Sequence, residues 1–70
     1  MKTINGCAVI AHRPYGNTLP SEGFVILAVK TLGDSYEYIT AVVSTLDDRE
    51  WFWGHYITSL EEATSDYFSR

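Results

Sequence analysis

Two segments with high strand propensity, separated by a short turn, constrain the fold of this 70-residue chain more than any other feature. Residues 24–30 are apolar on both faces of a strand, which predicts a central strand that is covered to some degree on both sides. Gly33, Asp34 and Ser35 predict a tight turn. Residues 36–45 predict the returning strand. Together these segments predict an antiparallel hairpin.

Shorter signals flank this hairpin. Residues 7–12 predict a short strand, and residues 13–22, which contain two prolines, predict a loop. Residues 46–50 predict a second turn that leads into a strand over residues 51–57. Gly54 inside that strand indicates a bulge or a close backbone approach.

The last segment has the pattern of a capped amphipathic helix. Ser59 is placed to cap it, and Glu62 stands three residues later, as in a capping box. Asp66 and Arg70 form a favourable i, i+4 pair. One continuous stripe runs along the helix: Leu60, Ala63, Thr64, Tyr67 and Phe68. All of these except Thr64 are predicted to be buried against the sheet. The expected fold is therefore a single α+β domain, a three- to four-stranded antiparallel β-sheet with one C-terminal α-helix packed on one face.

A single helix covers only one face of such a sheet. We assign Ile39, Ala41 and Val43 to the helix side, while the parity of residues 24–30 stays open. This choice turns Tyr36 and Tyr38 outward. An exposed aromatic sheet face on a small domain indicates a surface for a partner or for self-association.

The most unusual stretch is the aromatic strand at residues 51–56. In a regular strand Trp51, Trp53 and His55 point one way, while Phe52 and Tyr56 point the other. One set is expected in the core. The other set has two interpretations, further core packing or a binding hot spot, since Trp and Tyr dominate such sites.

Charge and composition limit the function classes. The net charge is −4, with −5 on residues 36–70 and +1 on residues 1–35, so phosphate backbones would be repelled and direct nucleic-acid binding is not expected. A basic protein surface suits this charge. The longest apolar run, residues 24–29, is too short to span a membrane, and no signal peptide is evident. The lone Cys7 suits a reducing compartment, and we expect a cytoplasmic protein.

Candidate catalytic groups have simpler structural interpretations. His12 and His55 have no metal-ligand spacing, and Cys7 is expected to be a buried apolar residue. Residues 47–50 are acidic but lack the glycine and the spaced oxygens of a calcium loop. We expect neither a cofactor nor an enzymatic activity.

The second half of the chain, from Phe24 onward, resembles small uncharacterised proteins of bacteriophages and other bacterial mobile elements. The likeness is carried by residues 51–56, 59–63 and 66–70. In size, acidity and single cysteine the chain is also similar in type to anti-CRISPR proteins, which are small phage-encoded inhibitors. Those proteins share no single fold or motif, so the resemblance assigns no functional residue.

The expected function is that of a small acidic protein-binding module, an inhibitor that occupies the basic nucleic-acid-binding surface of a host enzyme. The alternative is a structural or regulatory homo-oligomer, such as a homodimer, that uses the open sheet face. The predicted partner-binding residues combine outward aromatic and acidic side chains: Tyr36, Tyr38, Asp47, Asp48, Glu50, Trp51, Trp53, Glu61, Glu62 and Asp66.

Overall fold

A computed structural model describes residues 3–15, 23–45 and 50–70. These residues form one antiparallel sheet, curled into a half-barrel, and one C-terminal helix, so the predicted α+β class is confirmed. The strands lie in chain order. The elements are β1 (Thr3–Ile4), β2 (Cys7–Pro14), β3 (Phe24–Leu32), β4 (Ser35–Val43), β5 (Phe52–Ile57) and α1 (Leu60–Ser69). The sheet therefore has five strands, and the prediction of three to four was too low.

The additional strand, β1, is joined to β2 by a two-residue turn at Asn5 and Gly6. Ile4 pairs with Cys7 across this turn, and the two central residues have φ angles of 53° and 79°. Positive φ at both positions is the signature of a type I′ turn, which Asn-Gly strongly favours. Cys7 is buried, as predicted.

The central hairpin of β3 and β4 is confirmed. Leu32 pairs with Ser35 across the predicted turn, and Gly33 has a φ of 62°, as the first central residue of a type II′ turn requires. The hydroxyl of Ser35 donates to the carbonyl of Leu32 at 3.0 Å. The predicted loop at residues 13–22 is only partly described, because β2 runs on to Pro14 and residues 16–22 lie outside the described residues.

Both faces of the sheet carry apolar clusters. The helix-side cluster joins helix residues to alternate residues of β3 and their neighbours: Val25, Leu27, Ala63 and Tyr67, with Ala11, Tyr15, Tyr38 and Ile57 at its edge. The far-side cluster fills the other face: Ile4, Cys7, Val9, Ile26, Ala28, Ile39, Ala41 and Val43, with Phe24 and Trp51 at its edge. Strand β3 therefore contributes to both clusters, as its apolar pattern predicts.

The predicted assignment of Ile39, Ala41 and Val43 to the helix side is wrong. All three are fully buried in the far-side cluster, and the helix instead covers the face that carries Tyr38 and Thr40. The period-two pattern separates the two faces correctly but does not say which one the helix will cover. Thr40 favours this face, because its hydroxyl is a hydrogen-bond partner for polar helix side chains.

The helix begins as predicted, but its buried stripe is narrower than expected. The hydroxyl of Ser59 accepts a hydrogen bond from the backbone nitrogen of Glu62 at 3.3 Å, which caps the first turn. Ala63 and Tyr67 are buried, whereas Leu60 is 47% and Phe68 is 70% exposed. A ten-residue helix on a curled sheet contacts it along a narrow line, so the edges of the predicted stripe stay in solvent. Among the described residues no helix has the length and apolarity needed to cross a membrane.

Candidate binding surface on strand β5

Strand β5 lies at one edge of the sheet and contains the bulge that Gly54 suggests. Thr40 pairs with His55 and Val42 with Phe52, so β5 has one more residue than β4 between these two pairs. Trp53 sits in this bulge with a φ of 54°, in the left-handed region that bulky side chains rarely enter. The irregularity is therefore centred on the tryptophan beside Gly54.

The bulge separates side chains that a regular strand would place together. Trp51 packs against the far-side cluster, and its indole nitrogen donates to the Tyr56 hydroxyl at 3.2 Å. Trp53 instead lies near Tyr15, which borders the helix-side cluster, with ring centroids 6.4 Å apart. The prediction that Trp51, Trp53 and His55 share one face is therefore wrong, because the extra residue changes the alternation.

Three aromatic side chains of β5 remain in solvent. Trp53 is 68% exposed, and Phe52 and Tyr56 are each more than half exposed. Trp51 is half-buried at the edge of a cluster, so Trp53 is the more exposed of the two predicted tryptophans.

Carboxylates flank this aromatic strand at both ends. Glu50 is exposed just before β5, and Glu61 and Glu62 are exposed in the first turn of the helix that follows it. We call the set Glu50, Phe52, Trp53, Tyr56, Glu61 and Glu62 the β5 surface. It spans both faces of the edge strand, because Tyr56 pairs with Ile39 of the far-side cluster while Trp53 lies near the helix-side Tyr15. The other predicted acids of the turn, Asp47 and Asp48, lie outside the described residues.

Asp66 belongs to a different arrangement. The prediction placed it on the outer helix face, but its carboxylate turns toward the sheet and accepts hydrogen bonds from the Thr40 hydroxyl and from Nδ1 of His55, the latter at 2.8 Å. Nε of Arg70 lies 3.7 Å from the same oxygen, which confirms the predicted i, i+4 pair. Thr40 is fully buried, so this polar cluster fixes the helix to β4 and β5.

Two arginines complete the attachment of the helix. The guanidinium of Arg13 donates to the carbonyls of Tyr67 and Arg70, both at 2.8 Å, and lies 5.4 Å from the centroid of the Tyr67 ring. A cation at the carboxyl end of a helix is stabilised by the helix dipole. Arg70 donates to the carbonyls of Thr40, at 3.2 Å, and of Trp53. Sequence spacing does not reveal either contact with the sheet, because the partners are distant in the chain.

The two predicted tyrosines of β4 have different surroundings. Tyr36 is exposed, as expected, and pairs with Thr31 beyond the part of β4 that contacts β5. Tyr38 is half-buried at the border of the helix-side cluster, so its predicted outward position is wrong. Its strand position gives it the same face as Thr40, which the helix covers.

Cys7 lies away from the β5 surface, in the far-side cluster. Burial raises the pKa of the Cys7 thiol above its ordinary value, which lowers the fraction of reactive thiolate. Within residues 3–15, 23–45 and 50–70, no three His, Cys, Asp or Glu side chains are grouped so that they could hold a metal ion.

Comparison with protein-family models, curated proteins and solved structures finds no match to this chain.

The Asp66 cluster predicts a pH-dependent contribution to stability. Burial alone raises the pKa of this carboxyl, but the hydrogen bonds from Thr40 and His55, with the charges of His55 and Arg70, outweigh it and hold the pKa below its ordinary value. A depressed folded-state pKa adds stability above the unfolded-state pKa, and this stability is lost as pH falls through the folded-state pKa. At pH 7 we expect Asp66→Asn to lower the free energy of unfolding by about 1–2 kcal/mol.

Urea denaturation from pH 7 to pH 2 measures this effect. The difference between wild type and Asp66→Asn should shrink below about pH 4. Glu61→Gln is the matched control, since it removes the same charge from the exposed first turn of the helix. A difference for Asp66→Asn that stays constant down to pH 2 would contradict the assigned role of this carboxylate.

Proposed function

We propose that this protein is a protein-binding module that docks the β5 surface onto a positively charged surface of a partner protein. The carrying observation is the exposure of Phe52, Trp53 and Tyr56 on one edge strand of a domain that already has an apolar cluster on each sheet face. Aromatic side chains are enriched at the centres of protein interfaces relative to the rest of the surface, and Trp and Tyr are prominent among binding hot spots.

The charges near β5 favour a basic partner. Glu50, Glu61 and Glu62 are exposed at its two ends. Within the part of the chain that the structure describes, the nearby Arg13 and Arg70 direct their guanidinium groups to backbone carbonyls inside the domain. The outward charge of the β5 surface is therefore negative, and complementary charge accelerates encounter with a positive surface.

In its narrower form the proposal makes the partner a cytoplasmic host enzyme that binds nucleic acid, with this protein as its inhibitor. Such enzymes line their grooves with Lys and Arg to bind phosphates. The same electrostatics attract carboxylates, so the β5 surface would occupy the groove in place of nucleic acid. The mobile-element resemblance of the sequence is what suggests this class of partner.

The experiment begins with capture of a partner from a bacterial lysate that contains defence systems, followed by association kinetics with the purified partner. Trp53→Asn should raise the off-rate about 30-fold, the effect of losing a hot spot worth about 2 kcal/mol. Charge reversal at Glu61 and Glu62 to Lys should lower the on-rate, and added salt should do the same to the wild type.

Leu32→Ser is the matched control for an exposed apolar side chain. Leu32 is 43% exposed at the β3–β4 turn, outside the pairing of β4 with β5, and its replacement should leave both rates unchanged. Thermal melts of all variants separate binding from folding. Binding that is indifferent to salt, to Trp53→Asn and to the charge reversals would reject the β5 surface as the site.

A homo-oligomer is the second candidate, and the edge position of β5 favours it. An antiparallel pairing of two β5 strands would extend the sheet across the dimer. It would also bring Glu50 of each copy toward Glu61 and Glu62 of the other, which is unfavourable for like charges. Size-exclusion chromatography with light scattering, at protein concentrations from about 5 to about 500 μM, tests this alternative. Phe52→Ser is the variant that should disrupt the dimer. Tyr38 is unsuitable as a probe, because it borders the helix-side cluster.

A further inference from the structure

We infer that Arg70 is a positioning residue that fixes the bulge of β5 in the conformation that displays Trp53 to a partner. This inference rests on the proposed function for the importance of Trp53. Its structural content, the dependence of the Trp53 backbone on Arg70, is tested on the isolated protein.

The first observation is that Trp53 has an unfavourable backbone conformation that packing in a core does not explain. Its φ of 54° lies in the left-handed region, where a side chain as large as tryptophan is an outlier. Its indole is 68% exposed and has the tilted ring of Tyr15 as its aromatic neighbour, so burial in a cluster does not impose this geometry. Residues held in strained backbone conformations cluster at functional sites.

The second observation identifies what holds the bulge. The Arg70 guanidinium donates to the carbonyl oxygens of Trp53 on β5 and of Thr40 on β4, and its Nε donates to the Thr40 hydroxyl at 3.2 Å. One planar group thus ties the bulged residue to the neighbouring strand. The fork of five donors on a guanidinium suits several acceptors at once, whereas a lysine ammonium would satisfy fewer of them.

The third observation explains why the guanidinium stays in place. Asp66 lies one helical turn earlier, with its carboxylate oxygen 3.7 Å from Nε of Arg70, and the Arg70 side chain is only 10% exposed. Asp66 is held in turn by Thr40 and His55. The helix therefore transmits its docked position to the bulge through Asp66 and Arg70, and undocking the helix end would release Trp53.

Nuclear magnetic resonance of the free protein tests the inference directly. A residue with φ near 54° brings its amide and α protons close together, so wild-type Trp53 should show a strong intraresidue amide–α-proton cross-peak. In Arg70→Met this cross-peak should weaken to the intensity of the extended β5 residues. In a Trp51→Phe background, the fluorescence anisotropy of Trp53 should fall with the same substitution, because the indole becomes more mobile.

Thr64→Ala is the matched control, since it removes a side-chain hydrogen bond from the same helix, the 2.8 Å bond to the Leu60 carbonyl. It should leave the Trp53 cross-peak and anisotropy at wild-type values. Should Arg70→Met fail to fold, Arg70→Lys replaces it, with an intermediate loss of both signals expected. Undiminished signals in a folded Arg70 variant would overturn the inference.

Partner binding then separates this inference from the proposed function. Suppose that Trp53→Asn binds the partner as tightly as the wild type while the Arg70 variant loses the cross-peak. The positioning contact then stands, and the β5 surface is rejected as the site. If Trp53→Asn raises the off-rate about 30-fold while the Arg70 variant keeps the cross-peak, the site stands and the role of Arg70 is wrong. Agreement of both measurements supports both.

Discussion

Replacement of Tyr67 by alanine is expected to lower the free energy of unfolding by about 3–5 kcal/mol, the usual cost of truncating a buried aromatic side chain. Tyr67 is 4% exposed and packs in the helix-side cluster with Val25, Leu27 and Ala63. Its ring also lies beneath the guanidinium of Arg13. A domain of this size rarely has more than about 3–5 kcal/mol of stability in total, so most of the variant should be unfolded at 37 °C. Far-ultraviolet circular dichroism with urea denaturation measures the effect.

Phe68 provides the control within the same helix. Its ring contacts Tyr67 edge to face, with centroids 5.0 Å apart, but 70% of the side chain is exposed. Phe68→Ala should therefore cost only about 1 kcal/mol or less. Equal losses for the two variants would mean that the helix buries the broad stripe predicted from its sequence rather than the narrow line of Ala63 and Tyr67.

The contrast between these residues shows what a sequence pattern determines about the helix. The start at Ser59 was predictable, because capping depends on neighbouring residues and on local hydrogen bonds. The width of the buried stripe was not, because it depends on the curvature of a surface made from distant parts of the chain. Leu60 and Phe68 fit the apolar periodicity and yet lie largely in solvent.

The sheet shows the same division. The central hairpin follows from Gly33 and its flanking strands. Strand β1 was missed, although Asn5 and Gly6 are a strong local signal for a two-residue hairpin turn. The helix-covered face was assigned wrongly because the apolar residues of β4 were expected to meet the helix, whereas the helix brings Asp66 and Arg70 to the polar Thr40.

The sequence predicted several residues of the candidate binding surface, but not the orientation of their side chains. Gly54 indicated the bulge, but nothing in the pattern placed the left-handed conformation at Trp53. The bulge places the two tryptophans on opposite faces, which leaves Trp51 against the far-side cluster and Trp53 in solvent. Asp66 resembled the solvent-facing acids of its helix, and only the fold shows that Thr40, 26 residues earlier, is its partner.

Gly23 is the glycine at which a side chain is most clearly excluded. Its φ is 131°, and a β-carbon built there would lie 2.3 Å from the carbonyl oxygen of Val43 and 3.3 Å from the α-carbon of Ser44. Both neighbours are backbone atoms, one in the last residue of β4 and one in the residue directly after it, which cannot move aside without disturbing the sheet. The carbonyl of Gly23 also accepts a 2.9 Å hydrogen bond from the amide of Tyr15. A side chain at this position would therefore displace the start of β3 and the end of β4. It would also displace Tyr15, whose ring lies near the exposed Trp53.

We expect Gly23→Ala to lower the free energy of unfolding by about 3 kcal/mol, since backbone strain and a steric clash act together. Gly33→Ala is the matched control, because Gly33 also has a positive φ, 62°, but a β-carbon there meets nothing within 4 Å. That variant should lose only about 1–2 kcal/mol, the cost of holding alanine at a positive φ. Urea denaturation of both variants gives the comparison. Equal losses would show that positive φ alone constrains Gly23, and that its close approach to Val43 contributes nothing to the packing of β3 against β4.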